Sequence, residues 1–376
     1  MFDSIHGQIK IDYKTKKIID TPEFQRLRNI KHLGGIYQVW TGASHNRFEH
    51  SLGVMYLARK YMDILNKSGN YLSTKEYELI SIGALIHDIG HGVMSHLFDQ
   101  WIGFSTHEER SIDIFIYMNK KYDLGYDYSD IYFIKNVISP DYSDIAFVDD
   151  KKYLYQIVSS ANGIDVDRFD YILRDCHYTG MKYSFEIDQI MNNTFIINNE
   201  LVYSDKATCS IDSFFHTRYS MYKQVCNHPT VISVEHHIKD ILSEIDTVFK
   251  ISESVKNKDW ESFCKINDNI LSVIEFMDNP KLEKALQITS DIKSRNILKL
   301  VGEVVSDKEI NIESISENVI IIKSTIKYHS DELPKYVSDK RIKMNVACKK
   351  YHEEHITKVM CLDKDDPYAL SLLKFD

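Results

Sequence analysis

Apolar residues recur at helical spacing along most of the chain. One predicted helix carries an apolar face made of Met55, Ala58, Met62 and Leu65. A second series at the same spacing consists of Val234, Ile238, Ile241, Ile245 and Val248. Residues 79–89 are apolar nearly all round, which predicts a helix inside the core. Because helical periodicity dominates, the pattern predicts a mainly α fold.

Two local signals define element boundaries near the N-terminus and in the middle of the chain. Residues 20–23, Asp-Thr-Pro-Glu, predict a capped helix start with Pro22 at the first helical position. Residues 195–203 predict a β-hairpin that turns at Asn198 and Asn199.

The pattern changes beyond about residue 305. Short strands are predicted there at residues 319–328, 341–348 and 356–361. The chain has 376 residues, more than one domain usually holds, so an appendage to the main core is expected. We therefore predict a helical core at residues 1–304 and a small C-terminal α+β lobe at residues 305–376.

Composition restricts the classes of protein to consider. No run of about 18 apolar residues occurs and the first residues do not form a signal peptide, so we expect an intracellular protein, cytoplasmic or alternatively nuclear, with no membrane partner. The six cysteines are scattered without a CxxC pair, which indicates buried thiols. A net charge of −9 makes a nucleic-acid partner unlikely, so an anionic substrate would need a local positive pocket.

The strongest chemical signal is Ala-Leu-Ile-His-Asp-Ile-Gly-His-Gly at residues 84–92. An apolar helix does not normally end in residues such as His87, Asp88 and His91, because burying unpaired polar groups is costly. We expect the glycines at positions 90 and 92 to stop the helix and to free these side chains to point into a cavity.

Further metal-binding residue types flank this motif. His50 begins another apolar helix, and residues 163–171 bring carboxylates, Asp167 and Asp170 among them, into an apolar stretch. Together they form a mixed nitrogen and oxygen donor set. Such a set suits iron, manganese or zinc, with magnesium as an alternative at an oxygen-rich neighbouring position.

The competing interpretation is that these histidines are hydrogen-bonded core residues. Seven of the sixteen histidines fall within 76 residues, namely His32, His45, His50, His87, His91, His96 and His107. A purely structural explanation would need a separate partner for each of them. The clustering therefore favours a metal centre.

The H…HD…D pattern of His50, His87-Asp88 and Asp167 resembles the HD-domain phosphohydrolases. The similarity is greatest to the dNTP triphosphohydrolases that carry a sterile-alpha-motif domain before the HD domain. Similar segments lie at residues 21–29, 42–55, 86–97, 162–177, 215–219 and 295–304. The resemblance runs from residue 1 to about 304 and does not include a sterile-alpha-motif domain. It implies an HD-domain helical core and a nucleotide substrate.

The resemblance also implies roles for single residues. The metal ligands would be His50, His87, Asp88 and Asp167. His96 would serve the leaving 5′-oxygen, while His91 and His107 would contact the α-phosphate or a second metal. Asp99 and Glu108 are placed to orient these imidazoles. The implied reaction is attack at the α-phosphorus, which releases a deoxynucleoside and intact triphosphate.

Substrate contacts follow from the same resemblance. Arg47, Arg168 and Arg218 would hold the phosphates, a task that suits the guanidinium fork. Tyr171 and Asp175 would contact the sugar. The alternatives are surface ion pairs for the arginines and core packing for Tyr171.

The chain departs from the family in the sugar pocket. A sugar-contacting Gln of the family is His32 here, followed by the expected Leu33. A family Lys is Arg168, and a Tyr-Gln pair is Cys226-Asn227. These differences leave the metal chemistry unchanged and leave open the choice between deoxyribose and ribose.

A regulatory nucleotide site of the family is also matched in part. Its guanine-reading residues correspond to Asp20, Gln25 and Arg28, and its phosphate-binding residues to Arg295 and Lys299, which we expect at i, i+4 on one helix. This match implies a GTP or dGTP activator and a homodimer or homotetramer. The adjoining deoxynucleotide site has lost basic residues, and its positions now read Gln189, Ser204, Gln224 and Pro229. A helix cap at Asp20 and a solvated Arg28 form the alternative interpretation.

Three other functions compete with a dNTP triphosphohydrolase. The altered sugar pocket favours considering an HD phosphatase or phosphodiesterase that acts on nucleoside monophosphates or other nucleotides. A catalytically inactive binding protein is disfavoured because every ligand and candidate acid is present. A nuclease is disfavoured by the net charge of −9.

Overall fold

The structure is a computed structural model of the chain. It describes residues 1–141, 151–314, 316, 318–328, 332–338, 341–343 and 353–373. Helices predominate in these ranges, so the predicted mainly α fold is confirmed. Among the described residues, no helix is both long enough and apolar enough to cross a membrane.

The α-helices of the described ranges are named here in chain order. They are α1 Tyr13–Ile19, α2 Pro22–Gln25, α3 Arg47–Lys67, α4 Thr74–Ile86, α5 His96–Ile102, α6 His107–Tyr122, α7 Tyr128–Ile138, α8 Val166–Thr179, α9 Ile187–Asn192, α10 Thr208–Met221, α11 Pro229–Phe249, α12 Ile251–Lys256, α13 Trp260–Phe263, α14 Ile270–Val273, α15 Glu283–Ser294 and α16 Pro367–Ser371.

Helices α3 and α4 pack against each other at the centre of the core. Each begins with a capping box, in which Asn46 and Glu49 satisfy the first amides of α3 and Ser73 and Glu76 those of α4. Every residue from Leu79 to Ile86 is buried, as the continuous apolar stretch predicted. Helix α8 packs on α3 and helix α7 on α4, so α3 lies between the two chain segments that carry the other candidate ligands.

Both local predictions from the first half of the chain are confirmed. Thr21 caps α2 and Pro22 is its first residue. The predicted hairpin consists of two antiparallel strands, and its turn residues Asn198 and Asn199 both have positive φ, 51° and 63°. Asparagine tolerates this left-handed region better than most residues, which explains the tight two-residue turn.

The prediction that Gly90 and Gly92 stop the apolar helix is wrong. Helix α4 already ends at Ile86, and neither glycine has positive φ. Both glycines are required by close packing instead, because a Cβ at Gly90 would lie 2.2 Å from the His107 carbonyl oxygen and one at Gly92 2.3 Å from the Phe98 ring. The loop after α4 is thereby able to lie directly against α5 and α6.

The strands form small sheets. In chain order they are β1 Phe2–Asp3, β2 Gly7–Gln8, β3 Thr194–Ile197, β4 Glu200–Ser204, β5 Lys299–Ser306, β6 Val319–Lys327, β7 Tyr336–Ser338, β8 Arg341–Lys343 and β9 Glu353–Cys361. Their orders are β1-β2, β3-β4-β7-β8 and β5-β9-β6. All neighbours are antiparallel except β4 and β7, which pair in parallel.

The C-terminal strands appear where the pattern placed them. β6 and β9 cover the first and last predicted strands, β8 covers 341–343, and residues 344–348 of that prediction lie outside the described residues. Their sheet already begins at β5, and β7 joins the hairpin of the helical part. The division of the chain at residue 305 stays a prediction.

Arg295 and Lys299 do not share a helix, so that expectation is wrong. Helix α15 ends at Ser294, and Arg295 takes the left-handed C-cap conformation with φ 62°. Lys299 is the first residue of β5, where it pairs with Cys361 of β9. The change of direction at the helix end separates two residues that the spacing alone would place on one face.

Candidate metal centre

The four residues His50, His87, Asp88 and Asp167 converge from three elements. His50 lies in the first turn of α3, His87 and Asp88 directly follow α4, and Asp167 lies in the first turn of α8. His50 Nε2 is 3.2 Å from His87 Nε2, 3.1 Å from Asp167 Oδ1 and 3.4 Å from Asp88 Oδ2. His87 Nε2 is 3.5 Å from both Asp88 Oδ1 and Asp167 Oδ1.

These separations fit one cation. Metal–ligand bonds of about 2.1 Å place neighbouring ligand atoms about 3.0 to 3.4 Å apart for octahedral or tetrahedral angles. Two imidazole nitrogens and two carboxylates form a donor set that divalent transition metals accept. Without a cation, several titratable groups would be buried close together with no common partner, which is energetically costly. The residues therefore fit a divalent metal, whose identity this donor set does not determine.

Arg47 holds the ligand Asp88 in place. Its Nη1 donates to Asp88 Oδ2 at 2.6 Å, its Nε to Ser95 Oγ at 2.9 Å and its Nη2 to the His32 carbonyl at 3.2 Å. Burial alone would raise the pKa of Asp88, but Arg47 and the neighbouring His87 outweigh it and hold that pKa well below its usual value. Asp88 is therefore an ionised carboxylate, as a metal ligand must be.

Each ligand imidazole is oriented through its second nitrogen. His50 Nδ1 donates to Asp170 Oδ2 at 2.7 Å, and His87 Nδ1 donates to the Ala84 carbonyl at 2.8 Å. Such outer hydrogen bonds fix the tautomer and leave Nε2 free to bind metal. Both candidate ligands therefore present the correct nitrogen to the centre.

Asp170 is a functional residue that the sequence reasoning did not place. Besides His50, it accepts from Arg174 Nε at 2.8 Å and Nη2 at 3.0 Å and contacts His6 Nε2 at 2.6 Å. Gly53 of α3 makes room for it, because a Cβ there would lie 1.9 Å from Asp170 Oδ1. The available signal was its position three residues after Asp167 and four before Arg174 on a helix.

Replacing Asp170 with asparagine is expected to weaken metal binding about 10- to 100-fold, the usual effect of losing the carboxylate behind a ligand histidine. Competition with a chelator, followed by elemental analysis, measures this change. Asp3→Asn is the matched control, because Asp3 binds the same Arg174 at 2.9 Å and has no hydrogen bond to His50. Equal affinities for the two variants would contradict a positioning role.

A second cluster adjoins the ligands and contains the candidate acid–base residues. The rings of His91 and His107 are stacked with centroids 4.0 Å apart, and His96 lies 4.9 Å and 5.1 Å from them. Asp99 Oδ2 is 2.7 Å from His107 Nδ1 and 3.7 Å from His96 Nδ1. Glu108 Oε1 lies 3.4 Å from His107 Nε2. The structure thus brings together all five predicted catalytic residues.

This cluster joins the ligands through Asp88 and is fixed by Arg110. His91 Nε2 lies 3.2 Å from Asp88 Oδ1 but not in hydrogen-bond geometry, and neither of its buried nitrogens has a hydrogen-bond partner among the described residues. Arg110 pairs with Asp99 at close range and is fully buried. Burial would raise the pKa of Asp99, but its hydrogen bonds with His107 and His96 outweigh burial and hold that pKa below its usual value.

A cavity of about 680 Å³ opens onto both clusters. Its walls include Asp88, Asp167, His96, Asp99 and His107, together with the predicted substrate residues His32, Leu33, Arg47, Tyr171, Asp175 and Asn227. Strand β6 forms one wall, through residues 322–325. This volume is within the range of small-molecule sites and can hold a nucleotide.

Two of the three predicted phosphate-binding arginines stand behind the cavity wall. Arg168 pairs with Asp165 at close range and donates to the Ser160 carbonyl at 3.3 Å. Arg218 donates to the Tyr171 hydroxyl at 3.2 Å and to the Lys327 carbonyl at 3.1 Å. Among the described residues, neither arginine lines the cavity, so their phosphate roles stay predictions.

His32, Asp175 and His45 form a buried chain beside the ligands. Asp175 Oδ1 accepts from His32 Nδ1 at 2.9 Å and from His45 Nε2 at 2.7 Å. The two histidines help to hold the pKa of Asp175 below its usual value although burial would raise it. Through this chain the structure brings all seven clustered histidines into one region.

The predicted regulatory residues lie apart from the cavity. Arg28 Nε donates to Gln25 Oε1 at 2.8 Å, and its guanidinium lies 3.6 Å above the Phe48 ring. Asp20 pairs with Lys16 at 2.5 Å on an exposed surface, and Arg295 Nη2 donates to the Gln38 carbonyl at 2.9 Å. Asp20 is the C-cap residue of α1, and Thr21 is the N-cap residue of α2.

Comparison with known proteins connects this geometry with a family. Residues 47–175 match the HD domain model, and this segment contains the four candidate ligands. The chain is 37% identical over 341 residues to a putative HD domain-containing protein, L394, of Acanthamoeba polyphaga mimivirus, covering 80% of this chain and 72% of that protein. This chain belongs to the HD-domain family.

Other HD-domain relatives carry the name deoxynucleoside triphosphate triphosphohydrolase SAMHD1. The Dictyostelium discoideum homolog is 34% identical over 330 residues, with 84% of this chain and 63% of that protein covered. The human protein is 33% identical over 401 residues, with 96% and 62% covered. The chain thus spans a little less than two thirds of these two relatives. The resemblance noted from the motifs is confirmed over most of the chain.

Proposed function

We propose that this HD-domain chain is a metal-dependent hydrolase that converts deoxynucleoside triphosphates to a deoxynucleoside and inorganic triphosphate. The observation that carries this proposal is that a four-residue ligand set and a cluster of three histidines lie side by side at one cavity, which is large enough for a nucleotide. The names of the relatives support the choice of substrate, since they are described as acting on deoxynucleoside triphosphates.

In the proposed reaction, the metal ligands and the histidine cluster have different roles. A bound divalent metal would lower the pKa of water and withdraw charge from a phosphoryl oxygen. His91 and His107 stand beside Asp88, where they can donate hydrogen bonds to the α-phosphate. His96 lines the cavity and can deliver a proton to the leaving 5′-oxygen. Asp99 orients His107 and His96 for these tasks.

Substrate binding involves the remaining walls of the cavity. Tyr171 and Asp175 line the cavity and are proposed to contact the sugar, and Leu33 and Asn227 line it as well. Arg218 adds positive charge directly behind Tyr171. Arg47 donates a hydrogen bond to Asp88. It therefore contributes to phosphate binding mainly by holding that ligand in position.

The matching experiment compares dGTP, GTP and dGMP as substrates in the presence of Mn²⁺ and identifies the products. Release of inorganic triphosphate from dGTP supports the proposal. Orthophosphate would instead indicate a phosphatase. Absence of turnover in protein that binds no metal would indicate a binding protein.

We also propose that GTP or dGTP binds at Asp20, Gln25 and Arg28 and favours a homodimer or homotetramer. Arg28→Ala is expected to reduce the rise in activity with GTP while metal content stays normal, because Arg28 contacts Gln25 and the Phe48 ring and not a candidate ligand. Calorimetry with a non-hydrolysed GTP analogue measures the binding, and Lys17→Ala, an exposed charge on α1, is the control. Unchanged binding in Arg28→Ala would contradict the site.

A further inference from the structure

We propose that His32 is an additional ligand of the metal centre, so that three imidazoles and two carboxylates surround the ion. The inference rests on the metal centre proposed above and assigns to His32 a role other than contact with the sugar. In this assignment, the buried residues Asp175 and His45 hold His32 in the orientation that a metal ligand needs.

The position of His32 supports this assignment. Its side chain is buried beside the ligands, with its ring centroid 4.5 Å from that of His50. Ligand atoms of His32, His50 and Asp88 lie within 4.8 Å of one another. Two atoms bound to one ion by bonds of about 2.1 Å are at most about 4.2 Å apart. His32 is therefore within a small side-chain movement of an ion held by His50 and Asp88.

The hydrogen bonds of His32 repeat those of the two other imidazoles. In His50, His87 and His32 alike, Nδ1 donates to an oxygen, which belongs to Asp170, Ala84 and Asp175 respectively. In each ring Nε2 is therefore the nitrogen left to bind a metal. Within the described residues, no group forms a hydrogen bond with Nε2 of His32. A buried imidazole that is oriented by a hydrogen bond at Nδ1 and has Nε2 left over is the usual arrangement of a metal-binding histidine.

His45 provides an internal comparison. It binds the same Asp175 oxygen, but through Nε2, and stacks on Tyr178 with ring centroids 4.5 Å apart. It shares a potential metal group with His32 and Asp175, and none with the four ligands. His45 thus supports Asp175 without facing the centre, whereas His32 is supported by Asp175 and faces it.

A third imidazole changes the metals that the centre would take. Imidazole nitrogen favours transition metals such as iron, zinc or manganese, whereas magnesium prefers carboxylate, carbonyl and water oxygens. With three nitrogens and two carboxylates, the centre is expected to select a transition metal over magnesium.

The decisive experiment counts the imidazole nitrogens bound to Mn²⁺ in the wild-type protein by pulsed EPR. Three bound imidazoles are expected, and two would overturn the inference while leaving the proposed function intact. A wild-type protein that binds no Mn²⁺ would contradict both. This count requires no variant, so it does not depend on how substitutions affect folding.

A matched pair of variants tests the same point by affinity. His32→Phe keeps a ring in the site and is expected to weaken Mn²⁺ binding about 10- to 100-fold in competition with a chelator. His45→Phe keeps a ring to stack on Tyr178 and removes only the support of Asp175, so it should weaken Mn²⁺ binding less than His32→Phe does. Circular dichroism checks that both variants are folded. Equal Mn²⁺ affinities for the two variants would overturn the inference.

Discussion

Replacing Asp167 with alanine is expected to remove both the bound metal and the turnover. Asp167 Oδ1 lies 3.1 Å from His50 Nε2 and 3.5 Å from His87 Nε2, so its loss leaves Asp88 as the one carboxylate of the proposed ligand set. Its side chain is 35% exposed and lines the cavity. Elemental analysis should show about one metal ion per wild-type chain and almost none in the variant.

Asp165→Asn is the matched control for this experiment. Asp165 is a buried carboxylate two residues away that caps α8, where it accepts from the Arg168 amide at 2.9 Å. Asparagine preserves an N-cap, so this variant should keep its metal. Normal metal content and turnover in Asp167→Ala would show that the ligand assignment is wrong.

Replacing His96 with alanine is expected to lower kcat by about 10²- to 10⁴-fold while the metal content stays normal, which is the usual effect of removing a general acid. His96 lines the cavity with a side chain that is 64% exposed and belongs to the cluster next to the ligands. It can therefore reach a leaving group without holding the ion. Steady-state kinetics and elemental analysis together measure the two properties.

His236→Ala serves as the control for the second prediction, because His236 is another histidine on the cavity wall, but it lies on α11 away from the ligands. It should retain a kcat near that of the wild type. A loss of metal in His96→Ala would make His96 a ligand, and an unchanged rate would make it structural.

The sequence predicted what depends on local periodicity and on contiguous motifs. The apolar face of α3, the continuously buried α4 and the Asn-Asn hairpin follow from residues within one element. The two clusters were also accessible, because His87, Asp88, His91 and His96 lie within ten residues of chain. Because these four residues directly follow a buried helix, they are expected to lie close together.

The features that the sequence did not predict depend on contacts between distant segments. Asp170 and the His50 that it orients are 120 residues apart in the chain, and Arg47 and its hydrogen-bond partner Asp88 are 41 residues apart. The role of Gly90 follows from the approach of the His107 backbone, which no spacing rule reveals. Lys299 was expected on a helix because its partner in the sheet, Cys361, lies far away in the chain. The local spacing could therefore not reveal that Lys299 belongs to a strand.

Hydrolysis of dGTP in H₂¹⁸O, with both products analysed by mass spectrometry, tests the central claim most directly. Attack on the α-phosphorus forms a new bond from water oxygen to that phosphorus and breaks its bond to the 5′-oxygen. We expect one ¹⁸O atom in inorganic triphosphate and none in the deoxyguanosine. Label in orthophosphate or in the deoxynucleoside would contradict the proposed reaction.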